Sequence, residues 1–296
     1  MPDHNASTPL ALSPIVAGLW RLTEWKLDVP ARVRWIEQAL ELGITSFDHA
    51  DIYGDYRAEA LFGEALQAAP ALRSRMQLVS KCGIRLRSAQ RPYRVNHYDT
   101  SAAYVRAQVE QSLRNLHTEQ LDLLLIHRPD YLMDAAALAD IFATLTHEGK
   151  VAYWGVSNHT TSQLALLHQR HPLATHQIEL SPLALHALDD GTLDQAQQLG
   201  LRPMIWSPLG GGQLFTGDDA QARRLRETMQ PIAARLGISL ATLAYAWILR
   251  HPSRPHPITG SGRIEGLRDA VTALAVTLDA EDWYAIWTAS KGHAVP

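Results

Sequence analysis

The sequence predicts a single-domain (β/α)8 TIM barrel over residues 1–296, with an active site at the C-terminal ends of its strands. Three observations predict it. Eight short β-rich runs recur along the chain, each followed by a segment with helical spacing. The runs are continuously apolar rather than alternating, as parallel strands covered on both faces should be. No Pro/Gly/Ser-rich linker, internal repeat or low-complexity tract divides the chain. Eight strand–helix units in one undivided chain of this size fit a closed barrel better than two doubly wound domains.

The first run is SPIVAGLW (13–20), and it leads into DVPARVRWIEQALELG (28–43). There Asp28 is placed to cap a helix and Pro30 falls in its first turn. Val33, Ile36 and Leu40 share a face, and Gly43 ends the helix. The second and third runs are GITSFDHA (43–50) and MQLVSK (76–81). The helix DTSAAYVRAQVEQSLRNL (99–116), with Val105, Val109, Leu113 and Leu116 at helical spacing, precedes the fourth run, LDLLLIH (121–127). VAYWGVSN (151–158), THQIEL (175–180) and LRPMIWSP (201–208) follow. Then PIAARLGISLATLAYAWILRHP (231–252) reads as helix starting at Pro231 and divided at Gly237, before the last run, HPITGS (256–261).

Composition narrows the partners. Apolar residues make up 46% and charged residues 19%, a globular balance with material for a large core. A formal charge of −3 and the absence of basic runs interleaved with aromatics argue against nucleic acid. No stretch has the uninterrupted apolar length of a membrane span, and MPDHNASTPL lacks the pattern of a secretory signal. The lone Cys82 cannot form an intramolecular disulfide and suits a reducing compartment, so a cytoplasmic location is expected. The oligomeric state is not legible.

Barrel chemistry belongs at the strand ends, where the loops converge. The second run ends in Asp48, with Tyr53 five residues on, the third in Lys81 and the fourth in His127. These runs are neighbours in a barrel, so the four side chains should meet. Singly, each could be a solvated loop residue. Together they make a proton-transfer device. A lysine ammonium lowers the pKa of a phenol, an aspartate keeps that lysine charged and aimed, and a histidine can donate to a carbonyl oxygen as charge develops there. The fifth run ends in Ser157 and Asn158, Gln177 lies on the sixth, and WSPLGGG (206–212) ends the seventh.

On these residues the chain resembles the aldo-keto reductase superfamily, from PIVAGLW to GSGRIEGLRDA. The matching stretches are FDHADIYG, VSKCG, LDLLLIHRPD, GVSN, HQIELSPL and WSPLGGG, in the family's order. The segment HYDTS (97–101) points to its bacterial oxidoreductases. The resemblance implies reduction of an aldehyde or ketone by hydride transfer. Tyr53 is then the general acid/base, Lys81 and Asp48 its tuning pair, and His127 the carbonyl-orienting residue. It further implies that Ser157, Asn158 and Gln177, with Asp48, lie at the nicotinamide end and that Trp206 stacks on the ring. Ser207, Pro208, Leu209, Gly210, Gly211 and Gly212 would hold the pyrophosphate. Gly260, Ser261, Gly262, Arg263 and Asp269 would reach the adenosine half, and Gly18, Leu19 and Trp20 would border the cofactor. NADPH is expected over NADH. The positions where many NADPH-preferring relatives carry lysine and arginine fall on Gly260 and Gly266, so Arg263 or Arg268 would have to serve the phosphate.

A small carbonyl substrate would meet Trp20, Trp25, Tyr53 and His127, with specificity set by residues 21–28, 83–99, 128–134 and 213–222. Arg85, Arg87, Arg91 and Arg94 would offer charge to an anionic substrate, but they read first as solvated loop residues. Asp51, Asp55 and Tyr56 read as loop residues outside the chemistry. His168 and His171 do not complete a metal-ligand spacing, and no metal is expected. The alternative to an enzyme is a cofactor-binding regulatory or sensor protein of the same fold that turns over slowly.

Overall fold

The computed structural model describes residues 10–88 and 91–296. The N-terminal decapeptide inspected for a signal, apart from Leu10, and Ala89 and Gln90 of the 83–99 segment lie outside the described residues. In chain order the strands are β1 (Val16–Gly18), β2 (Ser46–Asp48), β3 (Gln77–Cys82), β4 (Ile84–Arg85) and β5 (His97–Tyr98). They continue as β6 (Leu121–Ile126), β7 (Val151–Ser157), β8 (Thr175–Glu179), β9 (Met204–Trp206) and β10 (His256–Thr259). Eight of them close a barrel in the order β1-β10-β9-β8-β7-β6-β3-β2, parallel throughout, while β4 and β5 pair antiparallel beside it. The barrel strands fall on the eight predicted runs. β3 runs one residue further, to Cys82, while the others are shortened at their ends. β9 is the clearest case, since its run carries Pro203 and Pro208 on either side and proline cannot donate to a ladder.

The helices form for the expected local reasons, with one correction. Asp28 accepts from the Ala31 amide at the start of Val29–Glu41, and Ser101 from the Tyr104 amide at the start of Ala102–Asn115. The helix expected to begin at Pro231 begins eleven residues earlier and runs Ala220–Leu236, with Pro231 inside it. Asp219 caps that start by accepting from Ala222, a signal that outweighs the proline. Gly237 does divide the segment. It ends the helix at φ 67, and Ser239 caps Leu240–Leu249.

The two-residue period of a strand sets where the chemistry can be. Val16, Val79, Leu123, Leu125, Met204 and Ile258 fill the lumen, and Leu12 lies among them. Two residues further along the same faces come Gly18, Lys81, His127, Trp206 and Gly260. Asp48 and Ser157 end β2 and β7 in the same top layer, and Gln177 lies on β8 directly opposite Ser157. Gly155 makes room below Ser157, because a Cβ there would stand 2.6 Å from Leu125 Cδ2 and 2.7 Å from the Thr175 carbonyl. Outside the strands, two larger apolar clusters join the barrel to its helices, one including Phe47, Phe62 and Trp154 and the other Trp247 and Ile286. Among the described residues no single helix is long and apolar enough to cross a membrane.

Candidate active site

Lys81 organises the floor of the mouth. It is fully buried, and its Nζ donates to Asp48 Oδ2 at 2.7 Å, to the His49 carbonyl at 2.7 Å and to the Tyr53 hydroxyl at 3.0 Å. Three donors meet three acceptors, so the ammonium is held in place. Asp48 is held on its other oxygen by Gln177, whose Nε2 donates to Oδ1 at 2.9 Å. Burial alone would lower the Lys81 pKa, but Asp48 and Tyr53 outweigh it and hold the ammonium above its ordinary range. For Tyr53 the expected net lowering does not occur. Burial outweighs the opposing charge of Lys81, and the phenol lies above its usual pKa. Lys81 still limits that rise, so the two groups are coupled as expected while the balance falls on the other side.

His127 completes the group. Its ring meets that of Tyr53 at 5.9 Å between centroids and 77° between planes, and its Nδ1 is buried with no protein partner. Burial, then Lys81 and Arg128, hold its pKa well below the ordinary histidine value, so the ring is neutral near pH 7. A neutral imidazole carries one N–H, which is what donation to a carbonyl oxygen requires.

The stretch from Asp48 to Tyr53 is packed rather than wet. His49 is fully buried beside Phe62 at 4.5 Å, and burial followed by the Lys81 charge pulls its pKa to about 3. Asp51, expected as a solvated loop residue, is buried with neither carboxyl oxygen hydrogen-bonded. Burial and then neighbouring Glu59 push its pKa well above the ordinary value. Past Tyr53 the chain turns sharply through Gly54, Asp55 and Tyr56 at φ 59, 56 and 64. Left-handed backbone at the two non-glycine positions is strained, and the Tyr56 hydroxyl helps hold it by accepting from the Leu86 amide at 2.9 Å.

Above this floor is a cavity of about 860 Å³, within the size range of ligand sites. It runs from the predicted tetrad to the start of the helix Ile264–Thr272. Gly18, Trp20, Asp48, Tyr53, His127, Ser157, Asn158, Gln177 and Trp206 line it at one end. Ser207, Pro208, Leu209, Gly211 and Gly212, then Gly260, Ser261, Arg263 and Asp269, line the rest. Trp206 donates its indole N–H to Asn158 Oδ1 at 2.9 Å, and Asn158 Nδ2 donates to Ser157 Oγ at 2.7 Å. Both Asn158 and Ser207 sit at positive φ, 57 and 51, unusual for residues with side chains and frequent at ligand clamps.

Several predicted members are elsewhere. Leu19 is buried in the outer core, and Gly210 packs its Cα on Leu183. Gly262 lies flat on the Trp25 ring, where a Cβ would come within 2.7 Å. Trp25 itself packs on Trp35, with ring centroids 5.0 Å apart and planes tilted by 48°, and supports the wall instead of facing the substrate space. Of the two arginines offered for a phosphate, only Arg263 reaches the cavity. A side chain at position 266 would displace Ser261, whose Oγ lies 2.4 Å from the Cβ position. Each predicted specificity segment contributes to the wall, as Arg21, Ile84 with Leu86, Arg128, and Phe215. Arg85 is paired with Asp99 and Arg91 lies over the Tyr56 ring at 3.8 Å, so neither faces the cavity. Ser239, Leu240, Ala241 and Tyr245 also line it, and they carried no sequence signal beyond the Gly237 break. Among the described residues no group of three His, Cys, Asp or Glu side chains could hold a metal ion.

With this geometry in hand, the aldo/keto reductase family model matches residues 14–291. The chain belongs to the aldo/keto reductase family. This aldo/keto reductase is 50% identical over 287 residues to the oxidoreductase YdhF of Escherichia coli, covering 96% of this chain and 95% of that one. It is 42% identical over 293 residues to a 6-dehydroglucose reductase of Agrobacterium fabrum, covering 98% of each. A solved glycerol dehydrogenase from Gluconobacter oxydans superposes with a TM-score of 0.83 at 24% identity, covering 98% of this chain and 94% of that one, and so shares the fold. As a member of the family, this protein is an oxidoreductase of small carbonyl compounds.

Proposed function

We propose that the protein reduces an aldehyde or ketone to the alcohol with hydride from NADPH, and that Tyr53 supplies the proton. The observation that carries this is the Lys81 ammonium, bonded at once to Asp48 and to a tyrosine hydroxyl that opens into the cavity beside a neutral histidine. The cavity also fits a dinucleotide. Gly211 and Gly212 have positive φ and nothing within 4 Å of a Cβ position, so the backbone there leaves room for the close approach of a pyrophosphate, and Gly260 is equally uncrowded. Trp206 and Asn158 would hold the nicotinamide, and Arg263 the adenosine-side phosphate. Bound there, the reduced nicotinamide supplies the hydride that adds to the carbonyl carbon. His127 donates a hydrogen bond to the carbonyl oxygen and orients it. Tyr53, protonated through the neutral range, gives its proton to that oxygen as negative charge develops, and Lys81 stabilises the phenolate left behind. The buried Cys82 thiol and the use of a reduced cofactor suit the cytoplasm.

The test is steady oxidation of NADPH across a panel of aldehydes, including the sugar aldehydes suggested by the name of the Agrobacterium relative. Multiple turnovers are expected. A single turnover with every member would shift the reading to a cofactor-bound sensor. For the cofactor itself, Arg263→Ala should weaken NADPH by roughly 1.5–3 kcal/mol, the loss of a hydrogen bond to a charged group, and leave NADH nearly unchanged. Dissociation constants for both cofactors on both proteins check this. Equal losses would remove Arg263 from the phosphate, and tighter NADH binding by wild type would reverse the preference.

A further inference from the structure

The loop after β6 puts a cation at the mouth that the chemistry above does not use. Arg128 follows His127, is half-buried and lines the cavity. Its guanidinium stands 5.8 Å from the centroid of the Trp206 ring, and its charge is felt at both Tyr53 and His127. A guanidinium offers five N–H donors. Among the described residues Arg128 gives none of them to a protein acceptor and joins no ion pair.

The surrounding carboxylates are occupied or apart. Asp48 holds Lys81 and Gln177, and Asp130 accepts from Thr100 and Leu132. Glu179, at the end of β8, feels the Arg128 charge, but burial raises its pKa and the two do not pair. Of the other arginines of the cavity, one is engaged and one lies at the far end. Arg21 reaches toward the Gly211 carbonyl and covers the Trp20 ring, and Arg263 precedes the helix Ile264–Thr272. The Arg128 donors therefore stand free in the cavity, next to the atoms proposed to react, where a ligand can accept from them.

We infer that Arg128 holds a carboxylate of the substrate, so that the enzyme selects short aldehydes or ketones that carry one. This rests on the carbonyl-reductase reading above. A single guanidinium fork matches a carboxylate in charge and in bidentate geometry. Trp20, Ile84, Leu86 and Phe215 provide an apolar wall for the carbon chain between the two polar ends.

The probes are para-carboxybenzaldehyde and para-carbamoylbenzaldehyde, which match in shape and differ by one charge. With NADPH, wild type is expected to favour the carboxylate in kcat/KM by roughly 10–100-fold, mainly through KM, as one hydrogen-bonded charge pair gives. Arg128→Gln should remove that preference, Arg128→Lys should restore part of it, and the NADPH dissociation constant should not change. No preference in wild type would overturn the inference. So would equal losses on both probes together with weaker NADPH binding, which would make Arg128 a cofactor contact. Should neither aldehyde be reduced, the carbonyl-reductase reading is the one that fails with them, and a binding arm still decides on Arg128. Benzoate and benzamide are titrated against the NADP+-loaded protein by tryptophan fluorescence. Benzoate binding that Arg128→Gln weakens and Arg128→Lys retains supports the carboxylate site, and benzoate binding equal in all three proteins refutes it.

Discussion

Tyr53→Phe is expected to lower carbonyl reduction by about 10²–10⁴-fold, the usual contribution of a positioned acid–base group, while the barrel and cofactor affinity stay intact. The change removes one oxygen and no packing volume. Lys81 loses one of three acceptors and keeps Asp48 and the His49 carbonyl, so its charge stays anchored. The pH profile gives a second reading. The phenol is raised by burial against the pull of Lys81, so the proton is present at neutral pH and leaves only as pH rises through that raised value. Wild-type reduction should therefore be flat through neutrality and fall in the alkaline range, and the mutant should lose that limb. Single-turnover rates across pH measure both. Near-native turnover by the mutant with its best substrate would mean another group delivers the proton.

Lys81→Met should be the most damaging single change to stability in the site, costing about 3–5 kcal/mol. The residue is fully buried, and removing its charge leaves the Asp48 carboxylate buried with only the Gln177 amide to hold it. Breaking one half of a buried pair costs far more than removing both halves. Lys81→Met with Asp48→Asn should thus be more stable than Lys81→Met alone, which urea unfolding of the three proteins reads directly. A double variant no more stable than the single one would show that the unpaired carboxylate is not the cause. Activity changes in a predictable direction too. Without the ammonium, the main offset to burial at Tyr53 is lost, so the phenol rises further and its alkaline limb moves to higher pH. An unmoved limb would refute the coupling between the two side chains.

What the sequence determined by itself is the repeating unit and the identity of its strand ends. Eight apolar runs separated by capped helices leave few arrangements other than a closed parallel barrel, and the period of two within each run places Lys81 above Val79 and His127 above Leu125. Local chemistry also marked Asp28 as a cap and Gly237 as a break, because these effects act within a few residues. The start of Ala220–Leu236 was misread because proline is compatible with a helix start and, less often, with a helix interior, and only the Asp219 cap discriminates.

Tertiary structure decided what depends on burial and on distance between remote segments. Asp51 and His49 look like loop polar residues in sequence, yet packing against Phe62 and β3 removes them from water and disfavours their charged forms. The sign of the Tyr53 shift is a balance between desolvation and the Lys81 charge, and no spacing along the chain encodes it. Trp25 left the substrate wall because Trp35 and Gly262 offered it a packing site, and Arg128 came to stand unpaired at the mouth because its neighbours' carboxylates were already bonded. Hydrophobic period and capping are properties of adjacent residues and can be read in order. Solvent exclusion and pairing belong to the folded surface as a whole, so they exist only once the barrel has closed.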